Sequence, residues 1–153
     1  AEVCYFRGIG RAREIEKLCI EGTRVIMVEL PFRQWDEEVL RDVEELMEKQ
    51  NVSVMLAHIE RFYAYQKRKK IWKEVLDLPV IFQVNAEFFD GRKKRNLVKK
   101  LVEVNRPVVL GSDCHNMDRR KPNLDTGYSF IREKFGQSVV EEIENVSAEI
   151  LEK

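Results

Sequence analysis

Four short apolar runs, largely β-branched, punctuate an otherwise polar chain: Arg24–Val28, Val52–Leu56, Pro79–Val84 and Pro107–Leu110. Runs of this length with little polar alternation read as strands buried on both faces. Between them the apolar period changes to that of a helix. Val39, Leu40, Val43, Leu46 and Met47 fall at i, i+1, i+4, i+7 and i+8, with Asp36 placed to cap the N-terminus. A second helix is expected from Glu60 through Leu76, and a third from Asn96 to Val104 turns Leu97, Val98, Leu101 and Val102 inward. The tail from Leu124 to Leu151 has a helical pattern, with interruptions expected at Gly136 and Asn145. Strand followed by helix, with two-sided strands, predicts an α/β fold on a parallel sheet, and the loops described below favour a barrel over an open sheet. No repeat, linker or low-complexity stretch interrupts the pattern, so residues 1–153 read as a single domain.

Composition narrows the function. A 44% hydrophobic share of 153 residues is enough for a real core, which excludes a disordered tail. Basic and acidic residues balance at 27 each, so no overall field draws the chain to nucleic acid or a membrane. Lysine and arginine do cluster at Lys67–Lys70, Arg92–Arg95 and Arg119–Lys121. With no recognition motif beside them, nucleic-acid binding is not expected; on the rim of a site they would instead attract an anionic substrate. Three cysteines, Cys4, Cys19 and Cys114, lack C-x-x-C spacing, which points to free thiols in a reducing compartment, the cytoplasm. No apolar run is long enough to span a bilayer, so membrane insertion is not expected either.

In parallel α/β folds functional groups gather at the carboxyl ends of strands. Three of the predicted strands lead there into candidate chemistry: Glu29-Leu30-Pro31-Phe32, Ala57-His58-Ile59-Glu60-Arg61, and Gly111-Ser112-Asp113-Cys114-His115-Asn116. Both histidines of the chain lie in these loops. Each residue alone has an ordinary reading: Glu29 near Pro31 as a turn residue, Glu2 as a solvated terminus, Arg61 as a first-turn helix residue. Asp113 and His115, two apart, leave an extended chain on the same side and can meet one ion. The same alternation turns Cys114 away and assigns it to packing. Mixed carboxylate and imidazole donors suit manganese, iron or zinc in an open site, and no cysteine cluster indicates a structural zinc.

These loops resemble the polymerase and histidinol phosphatase (PHP) superfamily, and within it the bacterial tyrosine-protein phosphatases encoded with capsule and exopolysaccharide genes. The resemblance rests on Ala1-Glu2-Val3, Val28-Glu29-Leu30-Pro31-Phe32, Leu56-Ala57-His58-Ile59-Glu60-Arg61-Phe62, Gln83-Val84-Asn85-Ala86 and Ser112-Asp113-Cys114-His115-Asn116, in order. It implies a distorted PHP-type (β/α) barrel and a hydrolase of phosphotyrosine on the autophosphorylating kinase that controls polysaccharide export. It further implies a manganese-preferring centre, with iron, zinc or magnesium as other candidates and two or three ions in the complete domain. Glu2, Glu29, His58, Asp113 and His115 are the implied ligands, and Arg61 and Arg120 match the phosphate-binding arginines, with Arg119 adjacent to the latter. Hydroxyl activation by clustered metals and charge neutralisation by arginine forks would make up the chemistry.

The chain departs from that pattern in ways that set expectations. The family's N-terminal strand with its H-x-H ligand pair has no counterpart before Ala1, so the strand ending at Glu2 is expected to be absent and the barrel incomplete, as in an N-terminal truncation. Ile59, Phe62, Cys114 and Glu87-Phe88-Phe89 replace the family's commoner residues without removing a ligand. Two other functions stay open on the residues alone: a small-molecule phosphatase of the same superfamily, such as one acting on histidinol phosphate, and a non-catalytic metal-binding or interaction module. Self-association is compatible with either.

Overall fold

The structure, a computed structural model, describes residues 2–86, 92–118 and 122–152, and of residues 92–95 the backbone alone. Five parallel strands form one sheet in chain order: β1 (Glu2–Cys4), β2 (Val25–Glu29), β3 (Ser53–Leu56), β4 (Ile81–Asn85) and β5 (Val108–Gly111). Their connections carry α1 (Glu37–Gln50), α2 (Lys69–Asp77) and α3 (Arg92–Glu103), and α4 (Leu124–Phe135) and α5 (Gln137–Leu151) follow β5. Sequential parallel order has no reversal of direction across the sheet, unlike a doubly wound sheet, and corresponds to an arc of a (β/α) barrel. β1 and β5 form the two edges of that arc.

The four predicted strands are present, each shifted toward its C-terminal end by one or two residues at its start. A fifth, β1, was not expected: Glu2 does not terminate an absent strand but pairs in a parallel ladder with β2, Glu2 opposite Met27 and Cys4 opposite Glu29. Three residues are too few for a hydrophobic period to register. The first helix starts at its predicted cap, where the Asp36 side chain accepts from the Val39 N–H at 3.1 Å.

Two helix expectations are corrected. Glu60–Leu76 is not one helix but a 3₁₀ helix, Ile59–Tyr65, followed by α2. The reason is Gln66, fully buried, whose amide accepts from the Trp35 N–H at 3.0 Å and donates to the Arg33 carbonyl at 2.9 Å. Anchoring that loop turns the chain out of helical register before Lys69. In the tail Gly136, at φ 93°, separates α4 from α5 as expected, but Asn145 lies inside an unbroken α5. An interior asparagine costs only a fraction of a kcal/mol, and burial of Val140, Ile143 and Ile150 along the helix outweighs it.

The sheet's two faces differ. One carries Ile26, Val28, Val54, Leu56, Phe82, Val84 and Val108 into the main core with residues from all five helices. The other is apolar only toward the amino ends of the strands, where Val25, Met55, Ile81 and Val109 pack against Ile150 of α5. Toward the carboxyl ends the same face turns polar, with Glu29 closing β2 and Gln83 and Asn85 closing β4. A parallel strand buries its side chains alternately on two faces, so this change of chemistry along one face marks where a site can open. Among the described residues no helix is long and apolar enough to cross a membrane.

Candidate metal and phosphate site

Two groups of polar side chains meet at the carboxyl ends. The first is built by β1, β2 and the loop after β3. His58 is buried, and its Nε2 lies 3.2 Å from Glu2 Oε1 and 3.2 Å from Glu29 Oε1. One donor atom from each of the three residues lies within 4.8 Å of the other two. An imidazole lone pair facing two carboxylates is repulsive unless a proton or a metal cation lies between them, and these separations suit neighbouring donors around one ion. The His58 Nδ1 is buried without a hydrogen-bond partner among the described residues, so the polar contacts that orient the ring are those of Nε2 with Glu2 and Glu29. The donor set thus fits a divalent cation of the manganese, iron or zinc kind. Cys4 stands at the edge, its thiol donating to Glu29 Oε2 at 3.4 Å; that hydrogen bond and the Glu29 charge push its pKa up.

The second group gathers on Asp113. Arg61 Nη2 donates to Asp113 Oδ2, Asn85 Nδ2 donates to the same oxygen at 3.2 Å, and His115 Nε2 lies 3.1 Å from Oδ1. Asp113 and His115 do meet, though not through extended alternation. Asp113 has φ 50°, in the left-handed region, and the turn there brings His115 back while leaving it 58% exposed. The same turn corrects the packing role expected of Cys114, which is exposed and whose thiol donates to the Asn116 carbonyl at 3.6 Å. His58 is left-handed too, at φ 30°. Of the five non-glycine residues at positive φ among the described residues, these two lie at the candidate site, where the surroundings hold their local strain.

A buried amide chain joins the groups. The Gln83 Oε1 accepts from the His58 N–H at 2.6 Å, its Nε2 donates to Asn85 Oδ1 at 2.7 Å, and Asn85 passes on to Asp113. Gly111, opposite Asn85 on β5, leaves room for it: a Cβ there would sit 2.1 Å from Gln83 Nε2. Sequence reasoning assigned these amides no role, although two polar residues at i and i+2 of a buried strand are a readable signal, since both face one side. A cavity of about 310 Å³ opens beneath, lined by Glu2, His58, Asn85 and Asp113 above and by Met27, Met55 and Ile150 below.

Of the seven site residues expected from sequence, the structure brings Glu2, Glu29 and His58 together and sets Asp113, His115 and Arg61 in a second group beside them. Arg120, like Arg119 and Lys121, lies outside the described residues, as do Glu87-Phe88-Phe89 and the side chains of Arg92–Arg95. Next to His58 two aromatic rings stay largely exposed: Phe32, 46% exposed, stacks on the imidazole with 6.0 Å between centroids, and Tyr65, 45% exposed, meets Phe32 edge-on at 5.8 Å.

A parallel β/α arc with a carboxylate–imidazole cluster at its carboxyl ends defines an α/β protein with a candidate metal centre. The family described as "Capsular polysaccharide synthesis, CpsB/CapC" matches residues 1–152, and the chain belongs to that family. The tyrosine-protein phosphatase CpsB of Streptococcus pneumoniae is 30% identical over 101 residues, which cover 60% of this chain and 41% of that protein. The enzyme of the same name from Streptococcus agalactiae serotype V is 30% identical over 94 residues, 56% and 39% of the two chains. This chain therefore matches about two fifths of the length of these relatives. A solved structure described with YwqE from Bacillus subtilis and CpsB from S. pneumoniae, "unique metal-dependent tyrosine phosphatases", superposes with a TM-score of 0.72 at 18% identity. The match covers 92% of this chain and 59% of that one, and shows a shared fold.

Proposed function

We propose that the chain carries part of the catalytic face of a metal-dependent protein-tyrosine phosphatase. The observation that carries this reading is the buried His58 Nε2 set between Glu2 and Glu29, beside an arginine held by Asp113. Glu2, Glu29 and His58 would hold a manganese-class cation, with Asp113 and His115 as ligands for further ions in the complete domain. Bound there, such a cation supplies Lewis acidity toward a phosphoryl oxygen and an acidified water.

The chain's own residues do the rest. Asp113 fixes the direction of the Arg61 guanidinium, whose planar fork suits phosphate oxygens bidentately and cannot lose its charge. Arg120 is the second proposed phosphate contact. Gln83 and Asn85 hold the backbone of His58 and the carboxylate of Asp113 at a set separation, so that the cation side and the arginine side of the site face one phosphoryl group. Phe32 and Tyr65 offer ring faces at the entrance, which suits an aryl ester better than an alkyl one. The relatives' names supply phosphotyrosine as the aryl ester. We place the substrate on an autophosphorylating tyrosine kinase of capsule or exopolysaccharide synthesis, and the reaction in the cytoplasm, in keeping with three cysteines that are all free.

The test is manganese-dependent hydrolysis of a phosphotyrosine peptide by this chain and by the complete gene product, each with and without His58→Ala. Turnover by the complete product that the substitution abolishes is the expected result. Histidinol phosphate turned over in preference to the peptide, or turnover unaffected by His58→Ala, would overturn the proposal.

A further inference from the structure

A second cleft, away from the metal side, opens between α2 and α3. It measures about 290 Å³ and is lined by Tyr63, Trp72, Lys69, Lys73, Asn96 and Lys100, over the apolar floor of Leu76 and Leu97. Among the described residues three amines line it and no carboxylate does, in a chain whose charges balance overall. The helices place them deliberately: Lys69 and Lys73 are four apart on α2, and Asn96 and Lys100 four apart on α3, so each pair shares a face. Just outside the cleft the pattern reverses. Lys70 has Glu74 four residues on at 3.9 Å, and Lys99 has Glu103 at 3.6 Å.

The carboxylates that could neutralise the cleft are engaged elsewhere. Asp77, four residues beyond Lys73, meets Arg106 at 3.4 Å, and Glu103 meets Lys99. Lys69 lies with its Nζ 3.8 Å from the centre of the Tyr63 ring and 3.3 Å from the Tyr63 carbonyl, so this amine is already positioned. Lys73 and Lys100 make no ion pair among the described residues. Tyr63 and the buried Trp72 meet edge-on at 5.6 Å and give the cleft an aromatic wall. Like charges one turn apart repel, and an anion between the helices removes that repulsion. The volume lies at the lower end of ligand pockets, which suits one side chain rather than a cofactor.

We infer that this cleft binds a second anionic aromatic group of the protein substrate, an aryl phosphate on a peptide, at a site separate from the metal centre. The choice of phosphate among aromatic anions rests on the phosphatase reading, whereas the anion selectivity rests on the cleft alone. Tyr63 follows Arg61 by two residues on the same 3₁₀ helix, so one short element carries both a wall of the cleft and the proposed catalytic arginine. The interaction positions substrate and takes no part in bond breaking.

The experiment is an NMR titration of the chain in the presence of chelator, with a phosphotyrosine peptide, its unphosphorylated form, an aryl carboxylate and inorganic phosphate. Expected are amide shifts on α2 and α3 with the phosphopeptide, at least tenfold weaker binding in Lys73→Glu/Lys100→Glu, and near-normal binding in Lys70→Glu, which changes charge outside the cleft. Circular dichroism checks that the variants fold, as they should at exposed positions. Equal weakening by Lys70→Glu, tighter binding of the aryl carboxylate, or no shifts on α2 and α3 would overturn the inference. Because the readout needs neither metal nor turnover, loss of the phosphatase proposal would leave this result standing, and the reverse holds too.

Discussion

Gly111 and Gln83 show how a single methyl group controls the site. The Gln83 amide is buried and engaged at both ends, so it cannot swing away from a new Cβ without releasing the His58 N–H or Asn85 Oδ1. Gly111→Ala should therefore cost about 1–3 kcal/mol in a denaturant titration, the range for stranding a buried polar group, and lower the proposed phosphatase activity of the complete product about 10–100-fold, as for other supports of metal ligands. Wild-type stability in Gly111→Ala would show that the amide chain is not under constraint. At the entrance, Phe32→Leu keeps an apolar side chain but removes the ring face. An aromatic pair contributes about 0.5–1.5 kcal/mol beyond its area, so kcat/KM for an aryl phosphate should fall about two- to tenfold while an alkyl phosphate is little affected. Equal losses on both substrates would assign Phe32 to the support of His58 instead.

At the scale of the element, α1 is the best-specified helix. Asp36 caps it, Glu37 and Glu38 occupy its first turn where negative charge suits the helix dipole, and Val39, Val43 and Leu46 are fully buried. Burial pushes the Asp36 carboxyl up, but hydrogen bonds from Arg33 and the Val39 N–H outweigh it, and the net pKa is lowered. A carboxylate whose folded pKa lies below its unfolded value stabilises the fold above the unfolded pKa, roughly 3.9, and loses that contribution as pH falls through the folded value. Asp36→Ala should cost about 1 kcal/mol at neutral pH, with the gap to wild type closing below about pH 4. Thermal melts of both proteins across that range check it, and a gap independent of pH would remove the charge from the explanation. The half-exposed Arg33–Asp36 pair itself adds little.

The whole molecule is an arc of parallel strands with a divided inner face, sealed by α5 toward the amino ends and polar toward the carboxyl ends. Two acidic groups and an imidazole are held together at its mouth at the cost of mutual repulsion, so a cation that binds them stabilises the fold by linkage. At a manganese concentration about 100 times Kd the gain is about 2.7 kcal/mol, or about 5–10 °C in Tm for a chain of this size. Chelator should reverse the shift and His58→Ala abolish it. A shift that survives His58→Ala would place the metal elsewhere.

Strands and helices were legible because their signals are local: β-branched runs, a 3.6-residue period over α1, a capping aspartate and a glycine at the α4–α5 break. The candidate loops were legible for a related reason, since a parallel sheet must bring the residues after its strands to one end. Glu29, His58 and Asp113 could thus be picked out before any coordinates. Partnership was not legible, because it depends on packing between residues distant in sequence. That Glu2 joins His58 across 56 residues, that Asp113 turns to Arg61 and Asn85, and that Gly111 is reserved for Gln83 are facts of strand register and a left-handed turn. The same holds for Gln66, whose burial under Trp35 divides what the period alone reads as one helix. Local sequence selects φ and ψ and one face of an element. Which faces meet, and at what separation, is set only when the elements compete for one core and the buried polar groups must find partners.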